Sequence, residues 1–221
     1  MATKKGDFVE IKFTGRTNGK VFDSNISEDL KEIDPKADER KTIVAIGEEM
    51  VVPGLDKALE DKEIGKEYNF HVAYKEGFGE RKRELVKTIP LSVFTKQKIN
   101  PYPGASLIMD NNLVKVITVS GARVITDFNN PLAGKDLDYT FTITRIVTDD
   151  KEKTDAFFDF FFHHIPKFTI SQDSVTVELH KQAEPIIEIF KERFKKLIGK
   201  ELKFQELKEE KDKAEEPQQS L

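Results

Sequence analysis

The chain has 221 residues, 38% apolar and 34% charged, which is enough to bury a core in one or two domains. Its lack of Cys excludes disulfides, thiolate nucleophiles and cysteine-ligated metal centres, and 36 basic against 40 acidic residues leave no positive surplus for neutralising nucleic-acid phosphates. No run of about 18 apolar residues could span a membrane, and Met1-Ala2-Thr3-Lys4-Lys5 leads into Gly6-Asp7 rather than an apolar export core, so a cytoplasmic location is expected.

Phe8 to Phe13 alternates as a half-buried strand, and Thr17-Asn18-Gly19-Lys20 marks a tight turn after it. Ile26 to Lys41 is highly charged, contains Pro35 and keeps no period, which predicts an exposed loop. Thr42 to Gly47 reads as a strand, and Pro53, Gly54, Leu55, Ala58 and Leu59 as a short helix with Leu55 and Leu59 on its inward face. A strand around Tyr68 to Val72 follows. From Leu85 to Asp127 the texture changes to Pro90, Pro101, Pro103-Gly104, Asp110-Asn111-Asn112 and two alternating runs, predicting a small all-β unit. Tyr139 to Val147 alternates strictly and returns the chain to a sheet.

Thr148 to Thr154 (TDDKEKT) reads as a charged linker, with nine of the seventeen Phe lying beyond it. Thr154 is predicted to cap a helix through Phe157, Phe158, Phe160, Phe161 and Phe162, ended by Pro166. Those rings cover most of a helix's circumference. They could be core, a homodimer interface or a client surface, and the all-round hydrophobicity favours the buried interface. Val175, Val177 and Leu179 alternate as a strand, Pro185 opens an amphipathic helix ended by Gly199, and the charged tail is expected to be disordered. His163-His164 diverge by about 100° on a helix and have no ligand at i+4, so no metal site is expected. Gly77-Phe78-Gly79 lacks the third glycine and helix of a dinucleotide fingerprint.

Phe13-Thr14-Gly15, Val21-Phe22-Asp23-Ser24, Ile46-Gly47-Glu48, Val51-Val52-Pro53-Gly54-Leu55 and Gly77-Phe78-Gly79 stand in an order and spacing that resemble FKBP-type peptidyl-prolyl cis/trans isomerases. Thr126-Asp127-Phe128-Asn129-Asn130-Pro131-Leu132-Ala133-Gly134-Lys135 resembles the re-entry motif of the SlyD-like branch, in which an insert-in-flap chaperone domain interrupts the barrel, and the long C-terminal part resembles archaeal members. The resemblance implies an α+β chain. An antiparallel half-barrel wrapped on a short helix (1–85 and 128–148) is interrupted by a small all-β insert (86–127). After a linker (149–154) come an α+β C-terminal domain (155–207), a candidate for dimerisation, and a disordered tail (208–221).

By the same resemblance, Phe13, Phe22, Asp23, Val51, Val52, Phe78 and Phe141 surround a prolyl substrate, with Leu55 at the floor and Met50 at the start of the rim. The family often has Trp at the floor and Tyr at the position of Phe78, so an indole platform and a phenolic donor are both missing by this reading. Leu91, Phe94, Ile99, Tyr102, Leu107 and Met109 are candidates for a groove that takes unfolded chain, or else the insert's own core. The implied function is isomerisation of X–Pro bonds in unfolded polypeptides with no cofactor, no nucleic acid and no membrane. The rival is a holdase with an inactive pocket.

Overall fold

The computed structural model describes residues 2–109 and 112–207, so the expected disordered tail lies outside the described residues. β1 (Phe8–Thr17) turns through Asn18 and Gly19 into β2 (Lys20–Ser24). Both turn residues have positive φ, 51° and 76°, as a two-residue hairpin requires. Next comes a correction: α1 (Ser27–Ile33) occupies the segment expected to be a loop. It buries only Leu30, too little to set a period, and Asp29 ties it to β1 through Thr14 and Arg16. β3 (Thr42–Ala45), α2 (Pro53–Ala58) and β4 (Glu67–Val72) follow.

The inserted segment comprises β5 (Val86–Pro90), α3 (Leu91–Lys96), β6 (Ser106–Met109), β7 (Asn112–Ser120) and β8 (Arg123–Asp127). β9 (Leu137–Ile146) then leads to α4 (Asp150–Phe162), β10 (Lys167–Ile170), β11 (Ser174–Leu179), α5 (Glu184–Ile198) and β12 (Glu201–Glu206). Among the described residues, no helix is long and apolar enough to cross a membrane.

Three sheets result. In the first, β2 and β3 share one edge of β1, pairing with its two ends, while β9 takes the other edge and β4 lies beyond it. This sheet wraps α2, whose Leu55 and Leu59 are fully buried against the strands. Gly54 makes the approach possible, because a Cβ there would stand 2.5 Å from Val72. The second sheet has the order β5-β8-β7-β6. The insert is not the all-β unit the sequence predicted, because α3 covers one face of this sheet and plugs it with Phe94, which is 0% exposed. Six residues are too few for a helical period to stand out.

The third sheet joins β10 to β11 antiparallel and β11 to β12 in parallel, with α5 as the crossover. Glu206 is still in β12, and Leu207 donates its amide to Leu179. Gly199, at φ 80°, ends α5 in the left-handed region where a side chain would be strained. α4 starts earlier than expected. Asp149 caps it by accepting from the Glu152 amide at 2.9 Å, so the charged stretch forms its first turn, and Thr154 is buried inside. The acidic residues that read as a linker favour a helix N-terminus.

Phe157 and Phe158 are wholly buried among Phe161, Phe162, Phe168, Phe190 and Phe194, with centroid separations of 4.7 to 6.0 Å. These two rings are core of this chain, while Phe160, Phe161 and Phe162 are half-buried. That core is continuous with the one under the first sheet.

Candidate active site

Phe13 on β1 and Tyr139 on β9 lie 6.3 Å apart between ring centroids, and Phe22 on β2 meets Tyr139 edge-on at 5.8 Å. Phe78, in the loop after β4, completes the group edge-on to Phe22 at 6.2 Å. Gly15 makes this cluster possible, because a Cβ there would stand 2.7 Å from Phe22 and 2.9 Å from Tyr139. Such edge-on contacts suit the ring quadrupoles.

The loop between β3 and α2 forms the rim. Its turn uses positive φ at Gly47 and Glu49, and Asp56 holds it by accepting from both amides at 2.9 and 3.0 Å. The Met50 sulfur accepts from the Ala45 amide at 3.1 Å. Val51 and Val52 are half-buried against the core, and among the described residues the Val52 amide donates to no acceptor. Leu55 sits beneath, fully buried.

A cavity of about 300 Å³ opens beside this rim, lined by Phe13, Asp23, Ile43, Met50 and Val51 from the first sheet and rim, by Asp159 and Phe160 from α4, and by His163 just after it. That volume is at the lower end of the roughly 300–1,000 Å³ typical of ligand pockets. Phe22, Val52, Leu55, Phe78, Tyr139 and Phe141 do not line it. Asp23 is ion-paired to Arg40 at 3.0 Å, and burial pushes its carboxyl above the ordinary range despite Arg40's opposing charge.

Phe141 is 1% exposed and stacks on Tyr68 at 5.6 Å, away from Phe22 and Phe78. The place expected for it is held by Tyr139, two residues earlier on the same face of β9. Tyr139 also returns a phenol to a site expected to lack one. Burial, and then the negative charge of Asp23, push that phenol well above its ordinary range. A raised phenol pKa gives stability that is full below the ordinary range, about 10, and is lost as pH rises through the folded value. Absorbance titration at alkaline pH is therefore expected to show a late ionisation that coincides with unfolding and vanishes in Tyr139→Phe. A late step unchanged in that variant would remove the burial assignment.

The re-entry motif is explained by its bonds. Asp127 accepts from the Asn129 amide and side chain and from Arg81, while Asn129 bridges to both backbone groups of Lys82. Burial opposes the charge on Asp127, yet the hydrogen bonds from Asn129 and Arg81 outweigh it and hold the carboxyl below its usual range. Asn130 closes a turn on the Leu132 amide, and Gly134, at φ 74°, donates to the Gly79 carbonyl at 2.7 Å. The motif thus clamps the insert's stem to the loop carrying Phe78.

Of the candidates in the insert, Phe94 takes the core alternative, being fully buried. Leu91, Ile99, Leu107 and Met109 pack partly against it, and Tyr102 is exposed. The sheet's outer face instead presents Ile108, Leu113 and Ile117, at 74%, 53% and 43% exposure, with Ile108 directly opposite Leu113. Leu113 and Ile117 also line a second cavity against the re-entry motif. Neither was singled out from sequence, although both lie in an alternating run whose outward positions are apolar.

Residues 1–95 match a family profile described as FKBP-type peptidyl-prolyl cis-trans isomerase, and residues 87–132 match one described as FKBP26, IF domain. A short-type peptidyl-prolyl cis-trans isomerase of Methanocaldococcus jannaschii is 28% identical over 152 residues, covering 67% of this chain and 97% of that protein. SlyD of Haemophilus influenzae is 31% identical over 102 residues, covering 44% of this chain and 53% of the relative, and SlyD of Treponema pallidum is 31% identical over 109 residues, covering 47% and 62%. The match thus spans about half to two thirds of those two bacterial proteins. Two overlapping profile matches, relatives with the same description and an antiparallel sheet wrapped on one short helix agree: over residues 1–132 the chain carries the FKBP-type, SlyD-like peptidyl-prolyl cis-trans isomerase family.

Proposed function

We propose that this protein catalyses X–Pro isomerisation in unfolded polypeptides, which it holds through the inserted sheet while the prolyl bond turns at the aromatic cluster. The amide barrier is about 18–20 kcal/mol, and uncatalysed relaxation takes roughly tens to hundreds of seconds. No bond breaks and no proton needs to move. The site has only to bind the twisted amide more tightly than either planar form, by about 4 kcal/mol for a thousandfold acceleration.

The cluster of Phe13, Phe22, Phe78 and Tyr139 suits that task, since a dry apolar wall disfavours the polar, resonance-stabilised planar amide. The unpaired Val52 amide is placed to donate to the carbonyl next to the prolyl ring, and Asp23 to orient the twisted carbonyl by its field. The single observation that carries the reading is this ring cluster beside a rim with a free amide.

The holding role rests on the exposed apolar strip Ile108, Leu113 and Ile117, where the outer face of a half-buried sheet is normally polar. Tethering a client there raises the effective concentration of its prolyl bonds at the rim. The insert leaves and re-enters at neighbouring points, with the Phe128 amide donating to the Leu85 carbonyl at 3.0 Å, so a short bridge can replace residues 86–127. That deletion is expected to keep kcat/KM on an X–Pro tetrapeptide within about twofold and to slow proline-limited refolding of a protein substrate by tenfold or more. Unchanged protein refolding would remove the holding role, and lost tetrapeptide turnover in the intact protein would remove the isomerase reading.

A further inference from the structure

The cavity beside the rim is built from two parts of the chain and shares Phe13 with the ring cluster. Phe13, Asp23, Met50 and Val51 form one side, and Ala156, Asp159 and Phe160 of α4 with His163 at its C-terminal end form the other. A second cavity, of about 230 Å³, shares Lys41, Ile43, Ala156 and Asp159 with it and runs on to Asp155 and Ile165. Together they trace a groove from the rim along β3, which among the described residues pairs with β1 alone and so has a second edge without a strand.

α4 is fixed there. Glu152 takes Arg145 at 2.9 Å and also Lys41, while Arg193 of α5 holds the rim's Glu48 through its carboxylate at 2.8 Å and its carbonyl at 2.9 Å. The Glu48 side chain is only 8% exposed, so this contact is shielded from solvent.

The charges along the groove are uneven in their availability. Arg40 is engaged by Asp23, and Lys41 by Glu10 and Glu152. Asp159 is exposed and has no ion pair among the described residues, and Asp155 has one oxygen, Oδ1, buried without a donor while Lys151 takes the other. Beside Asp159, half-buried Phe160 offers a ring. An aromatic platform next to an unpaired carboxylate suits a side chain with a long apolar stem and a cationic end.

We propose that the groove between β3 and α4 is the part of the substrate site that receives residues flanking the proline, with Phe160 and Asp159 selecting Lys or Arg there. The inference rests on the isomerase reading and adds specificity to it. It makes the C-terminal unit a wall of the site.

The test uses the full chain and X–Pro peptides that carry Lys, Leu or Glu within two residues on either side of the proline. Lys peptides are expected to exceed Glu peptides in kcat/KM by about fivefold at low salt, a ratio that shrinks as ionic strength rises. Asp159→Asn should bring the ratio below about twofold, and Asp159→Lys should invert it. Phe160→Ala should weaken Lys and Leu peptides together. Wild-type turnover with no Lys preference, or a preference that survives Asp159→Asn, overturns the inference while leaving the isomerase reading intact. Absence of turnover on every peptide would instead defeat the isomerase reading itself.

Discussion

Replacing Phe22 by alanine is expected to lower kcat/KM on an X–Pro tetrapeptide about 30-fold, while Phe141→Ala should cost mainly stability. Phe22 is half-buried, touches Phe78 and Tyr139, and lies over Gly15, so its truncation opens the dry wall to water without emptying the core. Losing that apolar surface amounts to roughly 2 kcal/mol of transition-state preference, which is the 30-fold stated. Phe141 is 1% exposed and packed on Tyr68 between two strands. Its truncation leaves a cavity and should cost about 3–5 kcal/mol of folding free energy. Urea denaturation and a protease-free isomerisation assay on both variants separate the two effects. If Phe141→Ala unfolds like the wild type yet loses turnover, the prolyl cup belongs to Phe141 and not to Tyr139.

That exchange of roles shows where sequence patterning ends. Tyr139 and Phe141 share the parity of one alternating strand, so period 2 places both inward and cannot say which faces Phe22; the registers of β1 with β2 and with β9 decide it. The hairpin at Asn18-Gly19, the pairing strands and the Pro53 helix with Leu55 and Leu59 were legible because each has a local signal. α1 and α3 were not, since one buried Leu30 or a six-residue span makes no period. The aromatic run holds more rings than one face can bury, and two of them, Phe157 and Phe158, are fully covered. Its cover comes from Phe168, Phe190 and Phe194, rings from later elements whose arrival depends on tertiary packing. In the insert, Leu113 and Ile117 alternate with buried Val114 and Val116, so both faces of β7 are apolar and composition alone cannot tell core from client surface.

A loss of stability as large as that of Phe141→Ala is expected from Phe157→Ala. Phe157 is 0% exposed and meets Phe158, Phe161, Phe190 and Phe194 at 4.7 to 6.0 Å, so its removal deletes the centre of four ring contacts and should cost about 3–5 kcal/mol. How that loss is distributed depends on coupling. The buried cluster runs without a break from Phe8 and Ile11 to Phe194 and Leu202, and Glu48, Arg193, Glu152 and Arg145 bind the same seam at its surface. A shared core predicts that the two parts melt together. The chain reports on this by itself, because it has no Trp and its four tyrosines, Tyr68, Tyr74, Tyr102 and Tyr139, all precede α4, so tyrosine fluorescence follows the first part alone while far-UV circular dichroism follows both. In Phe157→Ala both probes should shift to lower urea by the same amount, with one transition. A fluorescence midpoint that stays at the wild-type value while ellipticity falls earlier would mean that the C-terminal unit unfolds alone. In that event α4 would be a wall that can leave the prolyl groove at little cost to the sheet behind it.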